Sequence, residues 1–530
     1  MDRSCRARRS TTTVNASPFI FAFIIAFFTS CSTSEKAPYT TFAKDATQAP
    51  AESSYDYIII GGGTSGCALA ATLSQGAKVL VLERGDLPYG ISSVNTINGF
   101  LTTLADLTPT SASQTFISTD GVVNQRARVL GGGSALNAGF FTRASLDFIN
   151  KAGWDHNLVK ESYEWVEKKV AFEPKVLAWQ AAVKEGLLEV GVTPDNGFTY
   201  EHIYGTKVGG SIFDVDGKRH TAADLLEYAD PTNITVFLNA TVHRILFKSD
   251  AERRARGVLY KDMNGKDHMA TLSEGSIMNE VILSAGTLGS PQLLMLSGIG
   301  PAKHLMGHGI KIVLDQPMVG QGLSDNPMNL VLIPSPRPVE IALIQIVGIT
   351  RFGSFIETAS THINWPSFHQ YISQFQLFSN QTSKLDKLKS IIAHRYNIDP
   401  SGFDAGIILE KVLESKAFSS FREPLLSVQE LLALVVALPL NLRPRHVNAP
   451  FDLEQYCMDT VMSIWHYHGG CQVDRVVDRN YRVIGVGALR VIDSSTLLNS
   501  PGTNPQATMM MIGRYMGQKI LEERLTLGMK

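Results

Sequence analysis

Residues 57–66 read Tyr57-Ile58-Ile59-Ile60-Gly61-Gly62-Gly63-Thr64-Ser65-Gly66 and run on into Cys67-Ala68-Leu69-Ala70-Ala71-Thr72-Leu73. Four residues that favour extended backbone lead into a glycine run, and the glycines open a segment of small side chains, so the predicted order is strand, tight loop, helix. Each glycine answers a separate demand. Gly61 permits a turn that other residues resist, Gly63 lets the backbone approach a pyrophosphate, and Gly66 lets helix and strand pack closely. Amides at the helix start then face the phosphates. A glycine run alone is a weak signal. The next segment strengthens it: Lys78-Val79-Leu80-Val81-Leu82 reads as a second buried strand and ends at Glu83, about 20 residues past the first glycine, where a carboxylate accepts ribose hydroxyls and repels a 2′-phosphate. The pattern predicts a dinucleotide-binding unit that opens an α/β fold.

With 530 residues, 44% hydrophobic and 18% charged, the chain has material for a large core shared by two or more domains. Its formal charge of −1 provides no basic field for nucleic acid or an anionic membrane. Arg3, Arg6, Arg8 and Arg9 precede the apolar run Phe19–Phe28 and the small residues Thr29–Ser34. That is the pattern of a secretory signal peptide over residues 1–34, with a retained signal anchor as the competing reading; no stable membrane span is expected after its removal. Secretory entry makes Asn233, Asn239 and Asn380, each in an Asn-X-Thr triplet, candidate glycosylation sites. Without Cys5 and Cys31, Cys67, Cys457 and Cys471 remain. An odd number leaves at least one thiol unpaired within the chain.

Farther along, residues 152–190 carry helical periodicity, with Trp154, Val159, Tyr163, Val166 and Val170 on one face and Gly191 as the stop. Arg256–Tyr260 and His268–Leu272 flank Asn264-Gly265, a hairpin signal. The strand Glu280–Ser284 meets Gly286 and a helix, giving a second strand-turn-helix unit. Leu431–Leu440 reads as a core helix, and residues 507–520 as a closing helix in which Gly513 and Gly517 allow close packing.

Two further stretches carry chemistry. In Arg126–Phe140, the three glycines Gly131–Gly133 are followed by Ser134 and Asn137, so backbone amides and two short polar side chains can meet a cofactor; a flexible turn is the alternative. Near the C-terminus stands Ile464-Trp465-His466-Tyr467-His468-Gly469-Gly470-Cys471, and beyond it a short strand with Asp493 at its polar end. Two histidines so spaced resemble a metal pair, but no carboxylate or third histidine sits at ligand spacing, and no metal is expected. The absence of a serine elbow argues against hydrolase chemistry. A histidine beside a flavin is a credible general base, because it titrates near working pH.

Taken together, Gly61–Gly66 with Glu83, the loop Arg128–Asn137, the segment Gly286–Gly300 and the block from Trp465 resemble the glucose-methanol-choline family of FAD oxidoreductases, in the plant branch of HOTHEAD-type proteins and mandelonitrile lyases. The resemblance covers nearly the whole chain after residue 55. It implies an α/β (α+β overall) architecture: a Rossmann-like FAD-binding domain (residues 52–150, 205–320 and 455–530) and a discontinuous antiparallel-sheet substrate domain (151–204 and 321–454). It implies that FAD lies with its adenosine end on Gly61, Gly63, Thr64, Ser65, Gly66, Glu83 and Arg84, with Val242 near the adenine. Val129, Gly133, Ser134, Asn137, Ala138, Gly139 and Phe140 would follow the cofactor toward its flavin end. There it would meet Trp465, His466, Asp493, Asn504, Pro505 and Gln506. In family terms His466, rather than His468, takes the hydroxyl proton of a small-molecule alcohol and Asn504 holds its oxygen; the electron acceptor is left open.

Two departures shape the expected function. Asn504 stands where the lyases carry a second histidine, and Phe352–Phe355 contains no cysteine where they carry one, which favours alcohol oxidation over cyanohydrin cleavage. Residues 411–440 are shorter than the family's corresponding stretch and lack the cysteine that would pair with Cys457, so a truncated substrate domain, and with it an impaired FAD-binding paralogue, is the competing expectation.

Overall fold

The computed structural model describes residues 38–248, 253–331, 339–351, 353–360, 441–502 and 504–528. The signal stretch 1–34, Phe352, Asn380, the shortened stretch 411–440 and the Leu431–Leu440 segment lie outside the described residues.

The glycine-rich segment folds as its composition dictates. β2 (Tyr57–Ile60), α1 (Thr64–Leu73) and β3 (Val79–Leu82) follow one another, and every residue of both strands is buried. Unbroken apolar runs of this kind suit strands covered on both faces. Tyr57 and Ile59 enter one core with α1, while Ile58 and Ile60 enter a second core on the other face. Together with β1 (Ala43–Asp45), β4 (Ile234–Leu238), β5 (Glu280–Leu283) and β6 (Leu489–Val491), they form a six-stranded sheet in the order β1-β4-β3-β2-β5-β6. All of its pairings are parallel. The chain leaves β2 toward β3 on one side and returns to β5 on the other, so the Gly61–Gly66 loop sits at the carboxyl end of a strand where the order reverses. That crevice is where open α/β sheets bind ligands.

The closing helix, α4 (Gln506–Gly528), packs along α1. Its two glycines make this possible: a Cβ at Gly513 would lie 2.3 Å from the Ser65 carbonyl oxygen, and one at Gly517 would lie 2.7 Å from Thr72 side-chain carbons. A second sheet, Thr241–Phe247, Ala255–Lys261, Asp267–Leu272 and Glu52–Tyr55, covers the opposite face. Its central hairpin turns at Asn264-Gly265, with Gly265 in the left-handed region at φ +80°.

The helical region 152–190 differs from the single periodic stretch expected. It is broken into α2 (His156–Val170) and α3 (Ala178–Glu189), with Pro174 in the extended link and Phe172 bridged to Ser211. Proline biases the residue before it away from helix, and that signal outranks periodicity here. The anticipated face Val159, Tyr163, Val166 and Val170 is buried in the core that also takes up α1.

A third sheet runs Phe355–Glu357, Ile346–Ile349, Gly205–Val208, Asp195–Phe198 and is backed by α3. Gly205–Val208 lies in its middle, between strands assigned by sequence to the substrate side. We therefore propose a domain boundary after Val208 rather than at 205.

Candidate active site

The cradle shows which glycines serve the protein's own packing and which do not. Gly61 has φ +102°, and a Cβ there would fall 2.4 Å from the Ser284 carbonyl oxygen; at Gly66 it would fall 2.1 Å from that of Gly61. Both must be glycine for β2, α1 and β5 to meet. At Gly63 the nearest atoms to a Cβ, Gly132 Cα and the Ser284 carbonyl oxygen, would lie 3.8 Å away, and the backbone is extended (φ −87°). Gly63 also opens α1 with no side-chain cap, so the helix start presents its amides to open space. An uncapped helix N-terminus beside an open glycine face fits a dinucleotide pyrophosphate.

Glu83 closes one end. It is buried, and its Oε2 and Oε1 accept the Gly62 and Gly85 amides at 3.0 and 2.8 Å. Burial nevertheless pushes its carboxyl above the usual range. Each oxygen retains a lone pair for a further donor. The strand bearing Val242, which is 9% exposed, begins directly beyond Ala240, whose amide donates to the Glu83 carbonyl at 2.8 Å. Arg84 turns toward Gln114 and the Ala127 carbonyl.

The second glycine loop lies on the first. Gly131 donates to the Gly62 carbonyl at 2.7 Å, Thr64 Oγ1 reaches the Gly131 carbonyl at 3.4 Å, and a Cβ on Gly132 would lie 2.7 Å from Gly63 Cα. Val129 is buried, and Ser134 is spent internally between the Gly131 carbonyl and the Ala222 amide. Asn137 donates to Gln506 Oε1 at 2.8 Å and accepts from the Gly139 amide, while Gln506 Nε2 donates to the Phe140 carbonyl at 2.6 Å. These bonds join the loop to the start of α4, just after Pro505.

Sequence reasoning missed the residue that organises this loop. Arg219 is 1% exposed; it donates to the carbonyls of Val94, Ser134 and Asn137 at 2.9, 3.1 and 2.7 Å and lies over the Phe213 ring. Burial holds its guanidinium down at about 9. In sequence it sits in Gly217-Lys218-Arg219-His220, which reads as an exposed basic turn.

On the facing side, Trp465 has φ +61°, a strained conformation for an aromatic residue. Its amide donates to Ser463 Oγ at 2.9 Å, and Ser463 in turn donates to Asp325. The Trp465 Nε1–H is buried with no partner among the described residues. His466 follows: Asn326 Nδ2 lies 3.1 Å from its Nδ1 and 3.1 Å from Ser500 Oγ. Burial, with His468 as the smaller influence, holds the His466 imidazole down at about 3, so the ring is neutral at working pH. Its residue accessibility is only intermediate, as expected for a desolvated ring beside a cleft. With the Asn326 amide placed this way, the neutral ring carries its proton on Nε2. A half-turn of that amide presents oxygen instead, favours Nδ1–H, and frees Nε2 to accept a proton. His468 is buried with Nδ1 3.1 Å from the His466 carbonyl.

Asp493, two residues beyond β6, accepts from Gly286 N, Ser290 Oγ and Ser495 N at 2.9, 2.5 and 2.9 Å. Asn504 donates to the Glu357 carboxylate. Phe140 joins the two halves: it packs with Val347 and Ile349, and meets Phe355 edge-on at 6.3 Å. Behind it, Lys207 is fully buried and donates to Thr142 Oγ1 and the Glu201 carbonyl at 2.9 and 2.6 Å. Burial drives its amine down to about 7. The unfolded lysine titrates near 10.4, so between pH 7 and 10 the unfolded chain binds more protons and stability rises with pH. Denaturant melts should show the wild type gaining up to about 4 kcal/mol relative to Lys207→Met over that range.

Cys67 donates to the Gly62 carbonyl at 3.1 Å, and Cys67, Cys457 and Cys471 are all unpaired among the described residues. The same residues contain no cluster able to hold a metal ion and no helix long and apolar enough to cross a membrane. Two of the glycosylation candidates use their amides internally: Asn233 donates to the Ser74 carbonyl and Asp230, and Asn239 donates to Asp45.

The cradle at the switch point and the second glycine loop laid over it are accompanied by a family match in sequence. Residues 55–328 and 413–513 match the N- and C-terminal parts of the GMC oxidoreductase family, and the chain belongs to that family. It is 47% identical to Protein HOTHEAD of Arabidopsis thaliana, covering 89% of each chain. It is 44% identical to an (R)-mandelonitrile lyase-like protein of the same plant, covering 92% of this chain and 93% of that one. It is also 41% identical to Sinalpyl alcohol oxidase Nec3 of Nesocodon mauritianus, covering 92% of each. Formate oxidase of Aspergillus oryzae, in a structure of a mutant that addresses FAD modification, shares the fold with a TM-score of 0.67 at 18% identity, over 90% of this chain and 100% of that chain.

Proposed function

We propose that the chain is a secretory-pathway oxidoreductase that uses FAD to oxidise the CH–OH group of a small-molecule alcohol. The cofactor is FAD. The open face of Gly63 at an uncapped helix start, with Glu83 at one end of the cradle, supports that assignment. When bound, FAD supplies the hydride acceptor.

The observation that carries the reaction type is His466: neutral, desolvated, and held through Nδ1 by Asn326. With the Asn326 amide turned so that its oxygen accepts from Nδ1–H, the neutral imidazole takes a hydroxyl proton at Nε2. Asn504 supplies an amide to the same site, where it orients an alcohol oxygen. An amide neither gives nor takes a proton near neutrality, so Asn504 suits oxidation better than cyanohydrin cleavage, which needs proton handling at both ends of the substrate. Trp465 and the Asn137–Phe140 segment wall the site and exclude water. The similarity to a sinalpyl alcohol oxidase supports an alcohol substrate, and the Arg-rich, apolar N-terminus supports secretory entry.

The test is anaerobic mixing of the purified, FAD-loaded protein with aromatic and long-chain primary alcohols. Bleaching of the flavin absorbance supports oxidation. Cyanide release from a cyanohydrin without bleaching supports the lyase alternative, and a protein that takes up no flavin overturns both.

A further inference from the structure

We propose that Glu357 is a positioning residue of this site: its carboxylate accepts the Asn504 amide N–H and holds that amide toward the alcohol oxygen. The inference rests on the reading of Asn504 given above.

Glu357 ends the strand Phe355–Glu357 at the edge of the substrate sheet, opposite Val347. That strand is locked to the flavin-side loop through Phe140, which packs on Val347, Ile349 and Phe355. The lock carries a carboxylate across the boundary between the two sheets to Asn504, which donates to it. The other oxygen, Oε1, is out of contact with solvent and has no hydrogen-bond partner among the described residues. Among the described residues no guanidinium or ammonium is paired with it: Lys207, on the strand Gly205–Val208 of the same sheet, is turned to Thr142, Thr199 and Glu201.

A structural carboxylate would be expected to have its oxygens satisfied or its charge paired, because burial without either is unfavourable by a few kcal/mol. The cost is visible in a carboxyl raised to about 7 by burial, with the Asn504 bond opposing the rise. Such groups concentrate at functional sites. Geometry supplies the function. The terminal torsion of asparagine is broad and nearly free, so an unrestrained Asn504 amide samples many planes. Once one N–H is fixed on Glu357, the plane is fixed, and the amide's second N–H and its oxygen point in set directions.

The experiment uses full-length, FAD-loaded wild type, Glu357→Gln, Glu357→Leu, Asn504→Ala and the Glu357→Leu/Asn504→Ala double variant. Each is mixed anaerobically with cinnamyl alcohol at several concentrations, which gives a limiting flavin-reduction rate and an apparent Kd. Glu357→Leu is expected to slow the limiting rate by about 10- to 100-fold, the scale of a small misplacement of a catalytic group, with little change in Kd. Glu357→Gln keeps an acceptor of the same length and should recover most of the rate. In the Asn504→Ala background, Glu357→Leu should add nothing. If Glu357→Leu lost FAD, Glu357→Ser would take its place, leaving a polar group at that position. A rate like wild type in Glu357→Leu, additive losses in the double variant, or a glutamine as slow as the leucine would each overturn the proposal alone. Asn504→Ala as fast as wild type would overturn the role of Asn504 as well, and wild type left unbleached would overturn the functional reading itself.

Discussion

Replacing His466 by alanine is expected to leave FAD bound and to slow anaerobic flavin reduction by about 10²- to 10⁴-fold, the usual contribution of a positioned general base. FAD should stay because the phosphate cradle, Gly61–Gly66 under Gly131–Gly133, makes no use of the imidazole. The rate should fall because, among the described residues, the neighbouring His468 is buried with Nδ1 on the His466 carbonyl rather than open to substrate. Asn326→Ala should give a smaller loss, since the ring would persist without the partner that fixes its tautomer. Stopped-flow absorbance against alcohol concentration reads both. Unchanged reduction in His466→Ala would move the base to another residue.

A second pair of variants separates cofactor binding from folding. Gly66→Ala places a methyl 2.1 Å from the Gly61 carbonyl oxygen, where only backbone movement relieves the overlap, and should cost the fold its α1–β2 packing. Gly63→Ala introduces a methyl with no protein neighbour inside 3.8 Å on backbone that alanine adopts freely. That variant should melt close to the wild-type apoprotein and yet purify with little or no flavin, because the new methyl fills the space left for a pyrophosphate. Circular dichroism and the ratio of flavin to protein absorbance measure the two effects. A Gly63→Ala protein that is fully yellow would place the phosphates elsewhere.

The parts of this molecule legible in the sequence are those decided by neighbours in sequence. The βαβ unit announces itself because its glycines, buried strands and terminal carboxylate fall within one short stretch, and the Asn264-Gly265 hairpin because its turn chemistry is local. The break in the 152–190 region was also written locally, in Pro174, and was masked by an apolar periodicity that continues on both sides of it. What could not be read is what depends on distant pairs. Asn326 matters through His466, Glu357 through Asn504, and Arg219 through carbonyls at Val94, Ser134 and Asn137. Each of these side chains looks ordinary in its own stretch. Asp493 is a further case: its carboxylate ties together segments distant in sequence, accepting from Gly286, Ser290 and Ser495. Likewise Gly205–Val208 carries no signal of the sheet it joins, because its partners lie at 195–198 and 346–349.

The helix from Gln506 to Gly528 closes over α1 at the opposite end of the chain, with Gly513 seated against Ser65 and Gly517 against Thr72. During synthesis, therefore, the first element to emerge that can recognise a cofactor waits for the last one to be made. The Gly61–Gly66 cradle leaves the ribosome early, with its helix apolar and uncovered, and several hundred residues must follow before its cover arrives. Contacts so distant in sequence form slowly and leave apolar surface exposed meanwhile. The face of α1 that α4 covers therefore has no partner until the last residues of the chain have been added.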